Sequence, residues 1–365
     1  MADARNILAS QLERYNLCKS CYERHGTKSR IKQNGPCCIC RGLMDNLDST
    51  AGRMLDAVRE YEFHTFLIGA MLPTQIYERE DAMRARLKIR GRESIKNQLT
   101  RELGIIIARS TKKKVEYFRP DLTISLVVDK ENNVDVTTQS RALSFAGRYT
   151  KKAPGFPQKQ GRCPSCEGKG CASCKESGLS GYQSVEGVIA KELMSRTHGR
   201  VPKFSWIGSE DQSSLVLGTG RPFYARISDP RKRKLGKISI REGPIRALLL
   251  AGADIPETQM RFTVKTRIHV KCERNLATED LTKLKSLAGT EVSFQNRTKL
   301  ATKKIYSASV RQTGAGSFFL TINADGGLMI KQFVGGEEYM KPSISELLKS
   351  KCECVTFDIL DVSLQ

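Results

Sequence analysis

The sequence predicts an α+β fold with a mainly antiparallel, strand-rich domain in its C-terminal half. Apolar residues at helical spacing and strand-like runs are mixed in the first part of the chain, whereas strand-like runs dominate from about residue 181. The connections between these runs are short, which favours antiparallel neighbours because parallel strands need long crossovers. The chain has 365 residues, more than one hydrophobic core usually supports, so we expect two or three domains.

The composition indicates a polyphosphate partner such as nucleic acid. Sixty-one Lys and Arg stand against 39 Asp and Glu, giving a formal charge of +22. A basic surface without a specific partner is the alternative. No apolar run approaches the roughly 18 residues that span a bilayer, and the N-terminus lacks a signal-peptide core. We therefore expect a cytoplasmic protein without membrane contact, whose twelve cysteines stay reduced.

The cysteine spacing in the N-terminal segment, residues 1–45, predicts a zinc knuckle. A short amphipathic helix over residues 1–17 is followed by two CxxC pairs, formed by Cys18, Cys21, Cys37 and Cys40. Four thiolates match the tetrahedral coordination of structural Zn²⁺, with Zn–S distances of about 2.3 Å. Cys38 in a shifted register and His25 are alternative ligands. Four sulfurs leave no open position, so we expect this site to stabilise the fold rather than to catalyse.

The sequence pattern over residues 46–150 predicts a small α+β domain with one basic face. We expect helices over 49–61 and 93–108, a strand over 63–72, and a hairpin that joins strands 123–129 and 134–149. The basic side chains are Arg101, Arg109, Lys112, Lys113, Lys114 and Arg119. Such a cluster is usually only a solvated face, so it does not by itself assign a function.

Residues 151–180 read as a linker that carries a second cysteine group. The group consists of Cys163, Cys166, Cys171 and Cys174. Its two CxxC pairs again suit Zn²⁺, but the spacer between them has only four residues. Whether so tight a hairpin binds one metal ion or none stays open at this point.

The C-terminal domain, residues 181–365, begins with a predicted helix over 185–196. Strands are expected at 222–228, 237–240, 261–272, 291–295, 304–312, 318–324 and 355–362, and helices at 243–250, 280–287 and 343–349. Between the first helix and the first of these strands lies the stretch GSEDQSSLVLGTGRPF, residues 208–223. It places Asp211 on a Gly/Ser-rich turn, with Arg221 behind a short apolar strand and a Gly-Thr-Gly turn. Taken alone, Asp211 is a turn-capping residue.

Several segments, in their order along the chain, point to one family. They are the N-terminal CxxC pairs, EFHTFLIGAMLP with SIKNQLTRELG, CEGKGCASC followed by SVEGVI, GSEDQSSLVLGTGRPF, and IKQFVGGEEYMKPSISELL. Singly, only the last two are specific. Together they cover most of the chain and resemble the THUMP-carrying tRNA pseudouridine synthases of archaea and eukaryotes.

The resemblance implies a fold, an activity and a partner. Residues 46–150 would be a THUMP-like RNA-binding domain, and residues 181–365 the catalytic domain. The expected reaction is isomerisation of uridines 54 and 55 in the TΨC arm of tRNA. No organic cofactor is expected, which agrees with the lack of a convincing nucleotide-binding loop. We expect the protein to act on tRNA as a monomer.

The resemblance also implies site residues. It places Asp211 as the nucleophilic aspartate and Lys331, next to Ile330, in a cationic strand beside it. Substrate contacts are expected from Arg221, Arg267, Met329 and Lys331. Whether the carboxylate adds to the sugar or deprotonates it stays open. Both roles need the ionised form, so we expect a nearby cation, Lys331 or Arg221, to keep the pKa of Asp211 low.

The sequence departs from the family pattern at the residues that pack on the target base. Thr266 stands in Val-Lys-Thr-Arg where the family usually carries tyrosine, and Met329 stands where a second tyrosine is usual. Methionine is a suitable apolar platform, whereas threonine is a poor one. Phe262 and Tyr306 are the candidates to replace the missing ring.

Two other classes of function remain. One is a different RNA-modifying enzyme, such as a methyltransferase or thiouridine synthetase, for which the Gly-Thr-Gly turn at Gly218 is a weak cofactor signal. The other is a non-catalytic, zinc-containing RNA-binding protein. The remaining cysteines, Cys272, Cys352 and Cys354, are expected to be buried small residues or surface thiols rather than ligands. Trp206 is expected in the core ahead of Asp211.

Overall fold

The computed structural model describes residues 2–25, 35–258, 260–296, 299–336 and 339–365. Its contacts divide the chain into two compact units. The first unit comprises Met1–Arg141 and Asp229–Arg233, and the second comprises Ala142–Ser228 and Lys234–Gln365. Across the described ranges, no helix has the length and apolar character that crossing a bilayer requires.

The first unit is a small sheet covered by helices. In chain order its elements are α1 (Ala2–Leu12), α2 (Lys19–Arg24), α3 (Leu47–Val58), β1 (Thr65–Met71), α4 (Thr74–Arg86), α5 (Ile95–Thr111), β2 (Lys114–Val115), β3 (Leu122–Val128) and β4 (Val134–Ser140). The sheet order is β2-β1-β3-β4, with β1 parallel to both of its neighbours and β3 antiparallel to β4. The helices predicted at 49–61 and 93–108 and the strand predicted at 63–72 are confirmed, whereas α4 was not predicted.

Helix α5 joins this sheet to the rest of the first core. Ser94 caps its N-terminus by accepting a hydrogen bond from the backbone of Asn97. Leu103 and Ile107 on one face are fully buried, and they belong to the same core as Phe66 of β1. The apolar i, i+4 spacing in the sequence therefore forms the inner face of the helix.

The second unit is built around one large sheet. Its elements are β5 (Leu143–Lys151), a 3₁₀ turn (Ala172–Cys174), α6 (Val185–Thr197), β6 (Lys203–Trp206), β7 (Val216–Ile227), β8 (Ile238–Glu242), β9 (Ile245–Ala251), β10 (Phe262–Cys272), α7 (Thr278–Lys285), β11 (Glu291–Asn296), β12 (Lys299–Gly314), β13 (Ser317–Asp325), α8 (Ile330–Gly335), α9 (Ile344–Leu348) and β14 (Cys352–Leu364). The strand order is β11-β12-β13-β10-β14-β7-β5-β9-β8, and β6 also pairs with β7. This confirms the predicted α+β class.

The large sheet is antiparallel except where β14 meets β7. These strands run parallel and share one register pair, Ile359 with Val216. One core lies on the side of β10, β12 and β13 with α7, α8 and α9, and a second lies around β5, β7, β8 and β9 with α6. The sheet is therefore continuous, while its two halves are packed by separate groups of side chains.

Two predictions about the elements are corrected by the structure. The strand predicted over residues 134–149 is two strands, β4 and β5, which belong to different units and are separated at Arg141. The helix predicted at 243–250 is strand β9. Gly243, at φ 53°, and Pro244 form the two-residue turn that pairs β9 with β8, and burial then alternates along β9 as in a strand. Residues 151–180 lie within the second unit, between β5 and α6.

The expectation that all twelve cysteines stay reduced is also corrected. Cys272 and Cys352 stand opposite each other in the register of β10 and β14 and form a disulfide. They are separated by 80 positions in the sequence. No local pattern can reveal this pair, because only the strand register brings the two thiols together.

Candidate active site and metal centres

A cavity of about 400 Å³ opens at the middle of the large sheet, in the second unit. Its volume lies within the range of about 300–1,000 Å³ that is usual for ligand pockets. The lining comes from the loop after β6, from β7, β10, β13 and β14, and from the loop and first turn of α8. The lining includes Glu210, Asp211, Arg221, Phe262, Val264, Thr266, Ile322, Met329, Lys331, Phe357 and Ile359.

Asp211 and Lys331, which are 120 positions apart in the sequence, form an ion pair in this cavity. The Nζ atom of Lys331 lies 2.5 Å from Oδ2 of Asp211. The other carboxylate oxygen accepts hydrogen bonds from the backbone N–H and the hydroxyl of Ser213, at 3.1 and 3.0 Å. The Lys331 bond and then the Ser213 bonds lower the pKa of Asp211 to about 2. The carboxylate is therefore ionised at neutral pH.

Lys331 lies in a helix and not in the strand that was predicted for it. It occupies the first turn of α8, which ends at Gly335 and is capped by Gly336 with φ 76°. Helix α8 packs on β14, and its first turn places Lys331 in contact with the Asp211 carboxylate. The Asp211 carboxylate also raises the pKa of Lys331, so the ammonium group stays charged.

Glu210, the residue before Asp211, is the buried anchor of the loop. Its side chain has no solvent exposure, and its Oε2 atom lies 3.2 Å from Nε of Arg221. The hydroxyl of Tyr149 donates to the same oxygen at 2.8 Å. Burial and the Glu210 charge raise the pKa of Tyr149, so its hydroxyl keeps the proton that it donates. Arg221 also donates to the carbonyls of Ile207 and Ser209, at 2.8 and 3.1 Å.

Lys151, at the end of β5, holds the same loop from its other side. Its Nζ lies 3.3 Å from Oε1 of Glu210, in an ion pair without hydrogen-bond alignment. It donates to the carbonyls of Phe156, Asp211 and Gln212, at 2.8, 3.2 and 3.4 Å. Like Glu210, the Lys151 side chain has no solvent exposure. The backbone of Asp211 is thus fixed by a buried cation while its side chain faces the cavity.

The structure brings together most of the predicted site residues. Asp211, Lys331, Arg221 and Met329 line one cavity, although Arg221 neutralises Glu210 and not Asp211. Arg267 is not among the residues that line it. This side chain follows Thr266 on β10, pairs with Asp358 at 2.9 Å, and lies 5.6 Å from the ring centre of Phe319.

The position expected to carry an aromatic ring is occupied by Thr266, which is buried in the cavity wall. Phe262 and Phe357 are the aromatic side chains among the described residues that line this cavity. Tyr306 lies outside the cavity, where its hydroxyl donates to Asp325. Of the two expected replacements, Phe262 is therefore the one that lines the cavity together with Met329.

Two important residues, Glu210 and Lys151, were missed in the sequence. In the sequence, Glu210 is only a second acid beside Asp211, and Lys151 is the first residue of the predicted linker. The signal that points to Lys151 is its place in the alternating pattern of β5, on the same face as the buried Phe145 and Tyr149. A lysine on a buried face needs a partner of opposite charge.

The first cysteine tetrad consists of Cys18, Cys21, Cys37 and Cys40, as predicted. All four residues are fully buried, and their Sγ atoms lie within 4.8 Å of one another. The Sγ atoms of Cys18 and Cys40 are 3.6 Å apart, close to the roughly 3.8 Å that tetrahedral ligands at 2.3 Å require. Cys38 is exposed and lies outside the tetrad. The four thiols thus form a site that can bind a metal ion.

A buried ion pair supports this tetrad from the neighbouring helices. Arg24 donates to Glu80 of α4 at 2.8 Å and to Gln98 of α5 at 2.6 Å. The same guanidinium lies 3.5 Å from Sγ of Cys21. Glu80 also accepts a hydrogen bond from the backbone of Ile95 at the start of α5. The helices therefore hold a positive charge against the sulfur atoms, as outer groups around metal sites commonly do.

The second tetrad, Cys163, Cys166, Cys171 and Cys174, also has metal-binding geometry. Its Sγ atoms lie within 4.8 Å of one another, with 4.0 Å between Cys163 and Cys171 and 3.8 Å between Cys166 and Cys174. The backbone N–H of Gly178 donates to Sγ of Cys174 at 3.1 Å, and that of Gly170 to Cys166 at 3.2 Å. Such donors stabilise thiolates, so these residues can also bind a metal ion.

We predict that Lys331 controls the ionisation of Asp211. In Lys331→Met the pKa of Asp211 should rise from about 2 toward 3.8, because the strongest hydrogen bond to the carboxylate is lost. Since the native pKa is lowered, the pair stabilises the fold above pH 3.8 and loses this effect as the pH falls through about 2. A ¹³C NMR titration of Cγ-labelled aspartate measures the shift.

Asp280 serves as the internal control in that titration. Its pKa is also lowered to about 2, by a hydrogen bond from Arg274, and Lys331→Met should leave it unchanged. An Asp211 pKa that is the same in both proteins would contradict the assignment.

We also predict that Lys151 is essential for the stability of the second unit. Lys151→Met should lower the free energy of unfolding by about 3–5 kcal/mol, because removing one partner leaves a buried charge without full compensation. Denaturant unfolding followed by the fluorescence of Trp206, the single tryptophan, measures the effect. Lys191→Met removes an exposed ion pair with Glu242 and should cost only about 0–1 kcal/mol. Equal losses in the two variants would contradict the prediction.

Comparisons with known proteins identify the family. The family model of the Pus10 C-terminal region matches residues 145–247 and 253–363. The family model of the archaeal Pus10 THUMP domain matches residues 50–127. The resemblance inferred from the motifs is thereby confirmed, together with the THUMP domain near the N-terminus.

Relatives from several archaea are similar over most of their length. A protein of Nitrosopumilus maritimus named tRNA pseudouridine synthase Pus10 is 34% identical over 371 positions, covering 97% of this chain and 96% of that protein. Proteins of the same name from Cenarchaeum symbiosum and Methanosphaera stadtmanae are 33% and 26% identical, over 90% and 97% of this chain and 81% and 97% of their own lengths. The family model of the C-terminal region alone covers more than half of the residues, and the chain therefore belongs to the Pus10 family.

Proposed function

We propose that this protein isomerises uridine to pseudouridine at positions 54 and 55 of the TΨC loop of tRNA. The observation that carries the proposal is the Asp211 carboxylate, ionised by Lys331 and directed into a cavity of ligand size. The names of the archaeal relatives support pseudouridine synthesis as the reaction and tRNA as the substrate. The net charge of +22 supports a polyphosphate substrate.

The reaction needs one ionised acid beside the ribose. The C1′–N1 bond breaks, the uracil turns within the cavity, and a new C1′–C5 bond forms. The C5 proton is then released to solvent and N1 gains a proton. Asp211 can add to the sugar or deprotonate it, and in either route a pKa of about 2 keeps it in the reactive form. Lys331 stabilises the ionised carboxylate, and the proposed reaction uses neither a metal ion nor an organic cofactor.

The target uridine must leave the base stack to reach Asp211, at a cost of a few kcal/mol. Apolar side chains at the cavity wall can replace part of the lost stacking. We assign this role to Met329 and Phe262, which line the same cavity as Asp211. Thr266 is too small to cover a base, so Phe262 supplies the ring that the family usually carries at position 266.

We further propose that both cysteine tetrads bind Zn²⁺. Their sulfur geometry suits a closed tetrahedral site, and four sulfur ligands leave no place for a water molecule that could react. Zinc would therefore stabilise the N-terminal segment and the loop between β5 and α6, and it would take no part in the isomerisation.

Asp211→Asn tests the proposed function. We expect the variant to lose at least about 10³-fold in the rate of tritium release from tRNA labelled at uridine C5, because the amide can neither add to the sugar nor deprotonate it. Its affinity for tRNA should stay close to that of the native protein. Mapping of pseudouridine in the treated transcript should show modification at positions 54 and 55.

Asp254→Asn, at an exposed position outside the cavity, is the control and should retain full activity. A native protein that binds tRNA and releases no tritium would instead be a non-catalytic RNA-binding protein. Modification at one position only would correct the site choice and leave the reaction intact.

Metal analysis tests the zinc proposal. The purified protein should contain two zinc ions per chain by mass spectrometry, since each tetrad supplies four thiolates. Cys37→Ser and Cys174→Ser should each remove one ion. Cys38→Ser is the matched control next to Cys37 and should retain both, because Cys38 lies outside the tetrad. Loss of zinc from Cys38→Ser, or a native protein without zinc, would contradict the assignment.

A further inference from the structure

Two neighbouring aromatic side chains of the first unit are directed into solvent. Tyr117 is 75% exposed and Phe118 is 93% exposed, in the loop between β2 and β3. Phe118 has the highest exposure among the large apolar side chains of the described residues. Two large rings exposed at neighbouring positions of one loop are a feature that can mark an interaction site.

The loop that carries the pair is held in place by its own hydrogen bonds. The carboxylate of Glu116 accepts a hydrogen bond from the backbone of Phe118 at 2.9 Å, and the backbone N–H of Glu116 donates to the carbonyl of Phe66 at 2.9 Å. At the other end, the side chain of Asp121 accepts a hydrogen bond from the backbone of His64. The rings are thus presented from a fixed backbone, which lowers the entropy lost when a ligand binds.

Positive charges surround the two rings in the sequence. Lys112, Lys113 and Lys114 precede them and Arg119 follows directly. In the part of the chain that the structure describes, none of these four cations has a carboxylate within 4.0 Å. Lys112 ends α5 in a left-handed conformation, and Lys114 is exposed on β2 at the edge of the sheet. Their charge is available for an anionic partner.

We propose that Tyr117 and Phe118 stack on an unpaired nucleobase of the tRNA, while the neighbouring cations bind its phosphates. Exposed rings beside unpaired cations are the usual elements of a site for single-stranded nucleic acid, since every base offers a flat face and every nucleotide a phosphate. The charge distinguishes this ligand from an apolar protein surface, which would leave the cations without partners. The proposal rests on the proposed function for the identity of the RNA, and it adds a second contact outside the catalytic unit.

Single substitutions of the full-length protein test the pair. Phe118→Ala and Tyr117→Ala should each raise the Kd for an unmodified tRNA transcript about tenfold, the loss expected for one stacked base. Phe118→Trp should bind as the native protein does, whereas Phe118→Leu, which keeps apolar area without a ring, should be weakened like the alanine variant. Met71→Ala changes another exposed apolar side chain of the same unit and should leave the Kd unchanged.

The dependence on salt separates the roles of rings and cations. The slope of log Kd against log salt concentration should be unchanged in Phe118→Ala and should fall by about 0.7 in Lys114→Gln, which loses one phosphate contact to an unpaired segment. The alanine variants should unfold at the native temperature, because both side chains lie in solvent. Fluorescence of 2-aminopurine placed in the unpaired segments of the transcript should be quenched by the native protein and less by Phe118→Ala.

Two outcomes would overturn the proposal. Native affinity in both alanine variants would remove the pair from the RNA interface, and native affinity in Phe118→Leu would indicate an apolar contact with the tRNA in place of ring stacking. The test is independent of catalysis because it measures the affinity for tRNA, which Asp211→Asn should keep while it loses the rate of isomerisation. Weak binding by Phe118→Ala in a protein that forms no pseudouridine would disprove the proposed reaction and leave this contact intact.

Discussion

The buried carboxylate of Glu210 determines the geometry of the whole site. One of its oxygens contacts Arg221 and Tyr149, and the other contacts Lys151. Arg221 lies on β7, and Tyr149 and Lys151 lie on β5. Because burying charges costs several kcal/mol each, such a cluster is kept only where its partners are well placed. Here the partners also bind the backbone carbonyls of the loop, including that of Asp211. The loop is therefore fixed by strands before any substrate arrives.

Unlike the buried Glu210 cluster, the ion pair of Asp211 and Lys331 is accessible to solvent. Their side chains are 29% and 60% exposed, so solvent screens the attraction and the pair can separate at small cost. Lys331 can thus keep the carboxylate ionised in the free protein and make room when a ribose enters. Buried charges thus set the position of the loop, and in the proposed reaction the solvent-accessible pair provides the reactive group.

The sequence predicted the parts that depend on local pattern or motif. The cysteine spacing led to both tetrads, and the motifs led to Asp211 and Lys331, because these signals lie within a few consecutive residues. It failed where long-range pairing decides the outcome. A short apolar run such as that of β9 fits helix and strand equally well until its partner strand is known. Lys151 became a site residue only through burial against Glu210, about 60 positions further on.

A structure of the Asp211→Asn protein bound to unmodified tRNA would test the central claim most directly. We expect an everted uridine of the TΨC loop in the cavity, with its ribose C1′ within about 3.5 Å of the side chain at position 211, the distance of a reactive encounter. The uracil should lie against Met329 and Phe262. A tRNA whose uridines stay stacked, or a nucleotide bound away from this cavity, would contradict the account.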